Sequence, residues 1–498
     1  MDCPVDTVDK HRKAQLDSVP SGAGPVRDGG AGTGLSAALA EAQATGVLPI
    51  TSVCNVACIF CSNPANPRGV RVFRVGPRPL DDIRHALSRM SHLDEVVIGE
   101  SASTISEGEP LTHPSFREVI KLVRAALPSA LIKLTTNGTL LTRDTARFLA
   151  RHGPVEVTLS LNTASPEAYR LLHGSDCDPR RGPRALAAAG LPYFASIVAV
   201  PAVSGPRDLA ATVRFAGDTG CLHCRVLVPG YTRLTRPEVV RLLPSRPEVA
   251  RLVDEVRART SLPLSLEPPD VEDLEARVTG VIRGTPADRA GLKAGDVVVA
   301  VGGNPAVSRV DAFRRCRAVL RAGARCSLVV RRGGATFDVA LEPSDAGRPG
   351  LVMDWDVDPA DLETIRRLVA AFRASERSKV VVLTSSMGAP PLQMAFGAAG
   401  QGRLGPDGPP PGVRPVPSRT FGGSIGCAGL LTVDDVAAVL SGHEGRESRV
   451  GPGDLVFLPP SAFDRRGLDL LGRGPGELVR LLPKGARLVV PGLASFGA

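Results

Sequence analysis

Short apolar runs alternate with longer helical stretches over residues 41–260. Six of the short runs have the length of buried strands. They are GVLPITSV, DEVVIGE, ALIKLTTN, VEVTLSLN, YFASIVAV and CRVLVPG. Strand–helix units repeated in this way predict an α/β fold with a parallel sheet, either an open sheet or a partial barrel. We expect the functional site at the carboxyl ends of the strands, where such folds place it.

The pattern changes near residue 272. Residues 272–344 contain short strand candidates, glycine turns and one helical stretch, and they predict a small β-rich domain. Residues 346–498 return to mixed α/β character, with a predicted flexible loop at residues 397–417. Residues 1–40 are rich in Gly, Pro and Ser and poor in large apolar residues, so we expect a disordered tail there.

The composition is that of a soluble globular protein, with 43% hydrophobic and 22% charged residues. The net charge is +9, but the basic residues are scattered, which argues against nucleic-acid binding. No apolar run reaches the length of a membrane span, and the charged N-terminal start lacks a secretory h-region. We therefore expect a cytoplasmic protein whose ten cysteines are thiols or metal ligands.

Three cysteines lie in the segment CNVACIFC, directly after the first strand candidate. Cys54, Cys58 and Cys61 could bind three irons of a four-iron cubane cluster and leave the fourth open to a non-protein ligand. The amine and carboxylate of S-adenosylmethionine would suit that position. A zinc site is the alternative, but it needs a fourth ligand, and His85 and His92 lie far along the next helical stretch. Chance spacing is a second alternative.

With the aromatic Phe60 before its last cysteine, CNVACIFC resembles the cluster motif of the radical S-adenosylmethionine (radical SAM) enzymes. The resemblance implies a partial (β/α)6 barrel, a 4Fe–4S cluster on Cys54, Cys58 and Cys61, and S-adenosylmethionine as cosubstrate. It also implies an electron donor such as ferredoxin or flavodoxin. In that family, reductive cleavage of the cosubstrate gives a 5'-deoxyadenosyl radical, which abstracts a hydrogen atom from the substrate, and the cofactors supply this chemistry.

A second segment, SEGEPLTHPSF, resembles the GGEP segment of the same family. The resemblance implies that Gly108, Glu109 and Pro110 help to bind the amino group of the cosubstrate. An earlier pair, Gly99 and Glu100, is the alternative, because the family segment usually follows its strand at once. A purely structural role, in which the glutamate caps a helix, is the other alternative.

Polar residues at two further strand ends complete the candidate site. Ser160 and Asn162 in LSLNT are predicted to contact the cosubstrate or the substrate, whereas Asn137 in LTTNG is better explained by turn chemistry. The remaining candidates are expected to be structural. They are His113 and His173 as hydrogen-bonded histidines, and Cys221 and Cys224 as ordinary buried cysteines.

The segment GTPADRAGLKAGD resembles the bacterial PDZ module, with Gly291, Leu292, Gly295 and Asp296 in the expected order. Such modules bind extended peptides by strand addition, so a peptide or protein partner is expected. A linker domain with an internally filled groove is the alternative. SRTFGGSIGCAGLL and GDLVFLPPSAFDRRGLDLLG resemble a C-terminal domain of unknown function that accompanies PDZ and radical SAM domains, although the PDZ module usually comes first there.

These observations predict an iron–sulfur enzyme that starts radical chemistry on an unknown substrate, with a peptide or protein as one candidate. Radical modification of RNA or of a small metabolite is a second hypothesis, and no added RNA-binding domain supports the RNA version. A third hypothesis is a scaffold or sensor, in which the cluster is structural and the PDZ module binds peptides. The loop at Phe421, Gly422 and Gly423 is predicted to lie over the active site, and Cys427 is expected to be a small buried residue.

Overall fold

The structure is a computed structural model that describes residues 32–100, 104–344, 347–373, 379–397, 411–441, 450–493 and 495–497. It divides into two compact units. The first comprises Met1–Pro64, Arg71–Pro229 and Thr235–Glu267, and the second comprises Ala65–Val70, Gly230–Leu234 and Pro268–Ala498.

The first unit is built on a parallel β-sheet. Its strands are β1 (Phe73–Arg74), β2 (Glu95–Ile98), β3 (Ile105–Ser106), β4 (Leu131–Thr136), β5 (Val155–Ser160), β6 (Tyr193–Val198), β7 (Cys221–Leu227) and β8 (Leu264–Glu267). Six of them form one sheet in the order β2-β4-β5-β6-β7-β8, and β1 and β3 form a separate parallel pair. Every neighbouring pair in the large sheet is parallel, so the predicted α/β fold class is confirmed.

Helices connect these strands, and several of them bury one face in the core of the unit. They are α1 (Gly32–Ala44), α2 (Leu80–Arg89), α3 (Phe116–Ala126), α4 (Arg143–Arg151), α5 (Pro166–His173), α6 (Arg181–Ala188), α7 (Pro201–Ser204), α8 (Asp208–Asp218), α9 (Pro237–Val240) and α10 (Arg246–Arg257). In α3 the buried side chains are Phe116, Val119, Ile120 and Val123, which follow the 3–4 residue spacing of a single helix face. They join the main hydrophobic core of the unit.

The first strand candidate, GVLPITSV, differs from the prediction. Val47 makes only an isolated parallel bridge with Val97 of β2. Beyond that bridge the chain bonds elsewhere, because the carbonyl of Ile50 accepts from Arg78 N–H (2.9 Å) and Ser52 N–H donates to Val75 O (2.7 Å). The sixth strand of the sheet is instead β8, which lies past residue 260. The domain boundaries given above stay predictions.

The predicted disordered tail is also partly different. Residues 1–31 lie outside the described residues, but residues 32–40 belong to helix α1. Alanine has the highest helix propensity, and α1 is rich in it. Ala38 and Ala42 are buried with Ile105 in a small cluster of their own, which stabilises the helix.

The second unit contains the region predicted to be β-rich. Its elements are β9 (Gly280–Val281), α11 (Pro286–Arg289), β10 (Val297–Val301), β11 (Asn304–Pro305), α12 (Arg309–Arg321), β12 (Cys326–Arg332), β13 (Ala335–Leu341) and β14 (Leu351–Val352). Four strands form an antiparallel sheet in the order β11-β10-β12-β13. β9 pairs with β14, antiparallel, in a sheet of two strands.

The rest of the second unit is mixed α/β, as predicted. Its elements are α13 (Pro359–Arg373), β15 (Val380–Ser385), α14 (Ala389–Gly397), β16 (Gly412–Val416), α15 (Val433–Ser441), β17 (Leu455–Phe457), β18 (Arg487–Val489) and β19 (Ser495–Gly497). The sheet order is β16-β15-β17-β18-β19, with only the last pair antiparallel. Part of the predicted flexible loop lies at 398–410, outside the described residues. Residues 412–416 of it are the edge strand β16, a position that tolerates Pro415.

None of the helices in the described ranges is both long enough and apolar enough to cross a membrane.

We expect Ile132→Ala to lower the free energy of unfolding by about 2–5 kcal/mol, because Ile132 is fully buried in β4 and its truncation leaves a cavity. Urea unfolding followed by circular dichroism would measure this. Lys121→Ala is the control, since it removes an exposed ion pair with Glu118 that contributes at most about 1 kcal/mol. Equal effects of the two substitutions would contradict the assignment of Ile132 to the core.

Candidate active site

The cysteine loop is attached to the carboxyl end of helix α5. The N–H of Ala57 donates to His173 O (2.9 Å), and the N–H of Ile59 donates to Leu172 O (3.0 Å). Carbonyls in the last turn of a helix have no partner within the helix, so the loop supplies the donors that α5 needs. The first turn of α5 is fixed by the N-cap Ser165, whose side chain accepts from Ala168 N–H, with Pro166 in the first turn.

The three predicted ligands lie close enough together to affect one another's ionisation. Burial raises the pKa of Cys54, Cys58 and Cys61 above the usual thiol range. For Cys58, negative charge on the other two thiols raises the pKa further. Arg74 acts on Cys61 in the opposite direction and lowers its pKa. Three neighbouring thiolates are therefore unfavourable unless a bound cation offsets their charge.

Two aromatic rings and an amide surround His173, the last residue of α5. Its Nδ1 lies 3.1 Å from Cys58 Sγ, and its Nε2 lies 3.1 Å from Asn162 Nδ2. The imidazole stacks on Tyr169, with ring centroids 4.1 Å apart. The ring of Phe60 meets it edge-on at 5.6 Å. Burial lowers the pKa of His173 to about 3, so the ring is neutral near pH 7.

The side chain of Asn162 makes hydrogen bonds within the protein, and its predicted contact with the cosubstrate or the substrate stays a prediction. Its Oδ1 accepts from the N–H of Val198 (2.7 Å) at the end of β6, and its Nδ2 faces His173. Only 5% of Asn162 is exposed. Ser160, the other predicted residue of this segment, is half-buried at the end of β5 opposite Ser196. The structure therefore brings Asn162, and not Ser160, into the network of the cysteine loop.

The segment containing Gly108 packs against the strand candidate that leads into the cysteine loop. The N–H groups of Gly108 and Glu109 donate to the carbonyls of Thr51 (2.9 Å) and Val53 (2.8 Å). A Cβ at Gly108 would lie 2.1 Å from Val53 O. The backbone approach thus requires glycine there. Pro110 is buried and begins a short 3-10 helix at Pro110–Thr112.

The carboxylate of Glu109 is buried, and both of its oxygens accept hydrogen bonds within the protein. Its Oε1 accepts from Thr136 Oγ1 (2.7 Å) and from Leu111 N–H (3.1 Å), and its Oε2 accepts from Asn137 N–H (2.6 Å). Burial raises its pKa, while these donors act in the opposite direction. The side chain therefore joins the end of β4 to the 3-10 helix. This is the structural role that the sequence suggested as an alternative to cosubstrate binding. Its direct contact with the cosubstrate stays a prediction.

The alternative pair, Gly99 and Glu100, follows β2, and Gly99 packs against Thr135 and Pro110. Glu100 is exposed and accepts from Thr135 Oγ1 (3.0 Å), whereas Glu109 raises the pKa of Cys54 through its negative charge. Of the two glutamates, Glu109 is thus the one placed beside a cluster cysteine.

Asn137 contacts the cysteine loop in addition to forming the predicted turn. Its Nδ2 donates to Asn55 Oδ1 (3.0 Å) and lies 4.0 Å from Cys54 Sγ. Its Oδ1 also accepts from Thr139 N–H (3.0 Å), which is the expected turn chemistry. Asn137 therefore serves both the turn after β4 and the cysteine loop. Its position directly after a strand was the available signal, since carboxyl ends of parallel strands meet at one edge.

His113, Cys221 and Cys224 make the contacts expected of structural residues. His113 is buried between Arg78 O (2.9 Å) and Ser115 N–H (3.1 Å). Cys221 and Cys224 are buried with their sulfurs 3.7 Å apart.

Comparison with known proteins agrees with this geometry. Residues 48–216 match the family model described as the radical SAM superfamily, and they include the cysteine loop and the Gly108 segment. The chain contains a radical SAM domain. Residues 277–332 match the model described as a PDZ domain, which confirms the second predicted module. A radical SAM domain implies a 4Fe–4S cluster and S-adenosylmethionine as its cofactors.

Relatives of known activity resemble the radical SAM domain over part of their length. PqqA peptide cyclase of Streptomyces rochei is 31% identical over 154 residues, which are 30% of this chain and 39% of that protein. GTP 3',8-cyclase of Cronobacter sakazakii is 29% identical over 129 residues, covering 26% and 37% respectively. The chain thus spans less than two fifths of the length of these relatives.

Solved structures resemble the chain at low identity. The crystal structure of Streptococcus suis SuiB bound to S-adenosylmethionine is 15% identical and covers 53% of this chain and 60% of that chain, with a TM-score of 0.34.

The donor set of the radical SAM domain fits the implied cluster. Three thiols lie on one loop, and each can supply one thiolate to one iron. No group of three Cys, His, Asp or Glu side chains that could hold a metal ion was found among the residues that the structure describes. A cubane cluster does not need such convergence on one ion, because each thiolate binds a different iron.

The loop at Phe421, Gly422 and Gly423 lies in the second unit and packs there on residues 231–233. Both glycines have φ of +64°, and a Cβ at Gly423 would lie 2.2 Å from Tyr231 O. Arg233 N–H donates to Phe421 O (2.8 Å). The glycines therefore serve close backbone packing within this unit, and a position over the active site stays a prediction. Cys427 is exposed, in contrast to the expected buried position.

We expect Gly108→Ala to lower the free energy of unfolding by about 1–3 kcal/mol and to reduce iron loading, because the added methyl group would overlap the backbone at Ser52 and Val53. Urea unfolding and the iron content after anaerobic reconstitution would measure both effects. Gly217→Ala is the matched control, since its Cβ would lie 3.9 Å from Leu262 and Ala favours the helix there. Normal iron loading of Gly108→Ala would contradict the close approach.

Proposed function

We propose that this protein is a radical SAM enzyme that reductively cleaves S-adenosylmethionine and uses the radical to take a hydrogen atom from a substrate. The observation that carries the proposal is the three-cysteine loop inside residues matched by the radical SAM family model. When bound, the cluster and S-adenosylmethionine would supply one-electron cleavage to the 5'-deoxyadenosyl radical. A small electron-transfer protein such as ferredoxin or flavodoxin is the proposed reductant.

The proposed work of the chain is binding and orientation. Cys54, Cys58 and Cys61 would hold the cluster, and the attachment of their loop to α5 would fix its direction. The backbone around Gly108 would receive the amino group of the cosubstrate, because the Glu109 carboxylate already accepts three hydrogen bonds within the protein. Glu109 would then act by holding that backbone in place.

For the substrate, we propose a peptide or protein recruited through the PDZ domain. Within the described residues, β14 pairs only with β9. The carbonyls of Gly350 and Val352 accept from Ile282 and Thr279 and therefore face β9 (2.8 Å each). Since these groups alternate along a strand, the N–H and C=O of Leu351 point to the opposite edge, where a peptide strand could add. The activity of the Streptomyces relative, named as a peptide cyclase, also supports a peptide.

We expect the reconstituted protein to form 5'-deoxyadenosine from S-adenosylmethionine under anaerobic, dithionite-reduced conditions, and Cys58→Ala to form none, because one iron would lose its ligand. Liquid chromatography with mass spectrometry would quantify the product. Cys177→Ala is the control and should retain product and iron, since Cys177 contacts backbone carbonyls of Thr139 and Asp178 instead.

Absence of product from a fully loaded wild-type protein, also with peptides, GTP-like metabolites and candidate proteins present, would contradict the proposal and favour the scaffold.

We expect synthetic peptides of random sequence with a free carboxyl terminus to slow amide exchange at Leu351, because strand addition would bond its outward-facing N–H. Hydrogen–deuterium exchange of the full-length protein would measure this. The same peptides amidated at the carboxyl terminus are the control, and equal protection by both would contradict recognition of a chain end. No protection with either set would contradict the peptide-binding edge.

A further inference from the structure

We infer that His173 is a positioning residue that donates a hydrogen bond from Nδ1–H to Cys58 Sγ, with its tautomer set by Asn162, and thereby raises the reduction potential of the cluster. The inference deepens the proposed function and rests on it for the presence of the cluster. The hydrogen-bond arrangement itself is a property of the chain alone.

The orientation of the Asn162 amide is fixed first. The backbone N–H of Val198 lies 2.7 Å from one of its terminal atoms. A backbone N–H can only donate, so this atom must be the accepting oxygen, Oδ1. The other terminal atom, which faces His173, is therefore the Nδ2 amide nitrogen, whose two hydrogens can only be donated.

The tautomer of His173 follows from this orientation. Nδ2 of Asn162 donates to Nε2 of the imidazole at 3.1 Å, so Nε2 must carry a lone pair and no proton. The remaining ring proton of a neutral imidazole then lies on Nδ1. Nδ1 is 3.1 Å from Cys58 Sγ, within the range of a hydrogen bond to sulfur. The sulfur of Cys58 is therefore the acceptor.

The packing around His173 holds this arrangement. Only 1% of His173 and 5% of Asn162 are exposed, so water does not compete for their hydrogen bonds. The stack on Tyr169, with an interplanar angle of 12°, and the edge contact with Phe60 restrict rotation of the ring. The ring plane is thus fixed by aromatic neighbours and the tautomer by the amide.

A donor placed on a cluster thiolate has a defined electronic effect. Reduction adds negative charge to the cluster and its sulfurs, and a hydrogen bond to sulfur stabilises that charge, so the reduced form is favoured. Cys58 is the middle ligand of the loop, and Asn162 connects it through His173 to the end of β6. The end of β6 thereby influences the reduction potential of the cluster through Asn162 and His173.

The first test compares the reduction potentials of the wild type and His173→Phe in reconstituted protein without S-adenosylmethionine. Phenylalanine keeps an aromatic ring against Tyr169 but has no donor. An anaerobic redox titration followed by electron paramagnetic resonance should show that the equilibrium constant for reduction falls about tenfold, a shift of about 59 mV to lower potential for one electron. An unchanged or higher potential would overturn the inference.

His152→Phe is the matched control for this measurement. His152 lies just after the last residue of α4, and its ring lies 4.1 Å from the ring of Phe148. The potential of this variant should equal that of the wild type.

The second test needs no cluster and covers the case in which His173→Phe fails to load iron. Nitrogen-15 NMR of the imidazole in the cluster-free protein should show Nδ1 protonated and Nε2 unprotonated. Asn162→Asp replaces the donor with an acceptor, so Nε2 should become protonated in that variant. A wild-type ring with its proton on Nε2 would overturn the inference.

The two tests separate this inference from the proposed function. Absence of 5'-deoxyadenosine together with the expected tautomer and potential would contradict the enzyme while supporting the hydrogen bond. Product formation together with an unchanged potential in His173→Phe would support the enzyme and contradict the hydrogen bond.

Discussion

The site depends on the attachment of the cysteine loop to the carboxyl end of α5. Two loop N–H groups bond the carbonyls of Leu172 and His173, so the loop and the helix satisfy each other's backbone groups. A helix carboxyl end carries partial negative charge, and burial already raises the pKa values of the thiols. Free thiolates are therefore doubly disfavoured, and iron cations bound to them would relieve both effects.

A second constraint is the burial of polar groups around Glu109. A desolvated carboxylate is costly unless it is hydrogen-bonded, and three donors from Thr136, Asn137 and Leu111 meet this need. The same contacts join the end of β4 to the Gly108 backbone, which in turn bonds the chain just before Cys54. One buried charge thus connects a strand end with the base of the cysteine loop.

The features best predicted from the sequence are those that depend on residues close together along the chain. The spacing of Cys54, Cys58 and Cys61 and the turn glycines of the PDZ domain are short patterns, and both lie in regions that the family models match. The sequence is less informative where a residue's role depends on a distant partner. Asn162 was predicted to contact the cosubstrate or the substrate because it follows a strand, and that contact stays a prediction. The bond from its oxygen to Val198, 36 residues away, could not be read from the sequence.

The strand pattern shows the same division. Alternating strands and helices determined a parallel α/β domain, because that periodicity is written into apolar positions and needs no knowledge of pairing. Tertiary contacts decided which segments pair as strands of the sheet. GVLPITSV has the composition of a strand but bonds residues 75–78 after a single bridge, and Leu264–Glu267 completes the sheet instead. The sequence by itself determined the three neighbouring thiols and the fold class. Only the tertiary structure decided which hydrogen-bond donors surround the thiols, because hydrogen bonds between distant segments leave no periodic signal in the sequence.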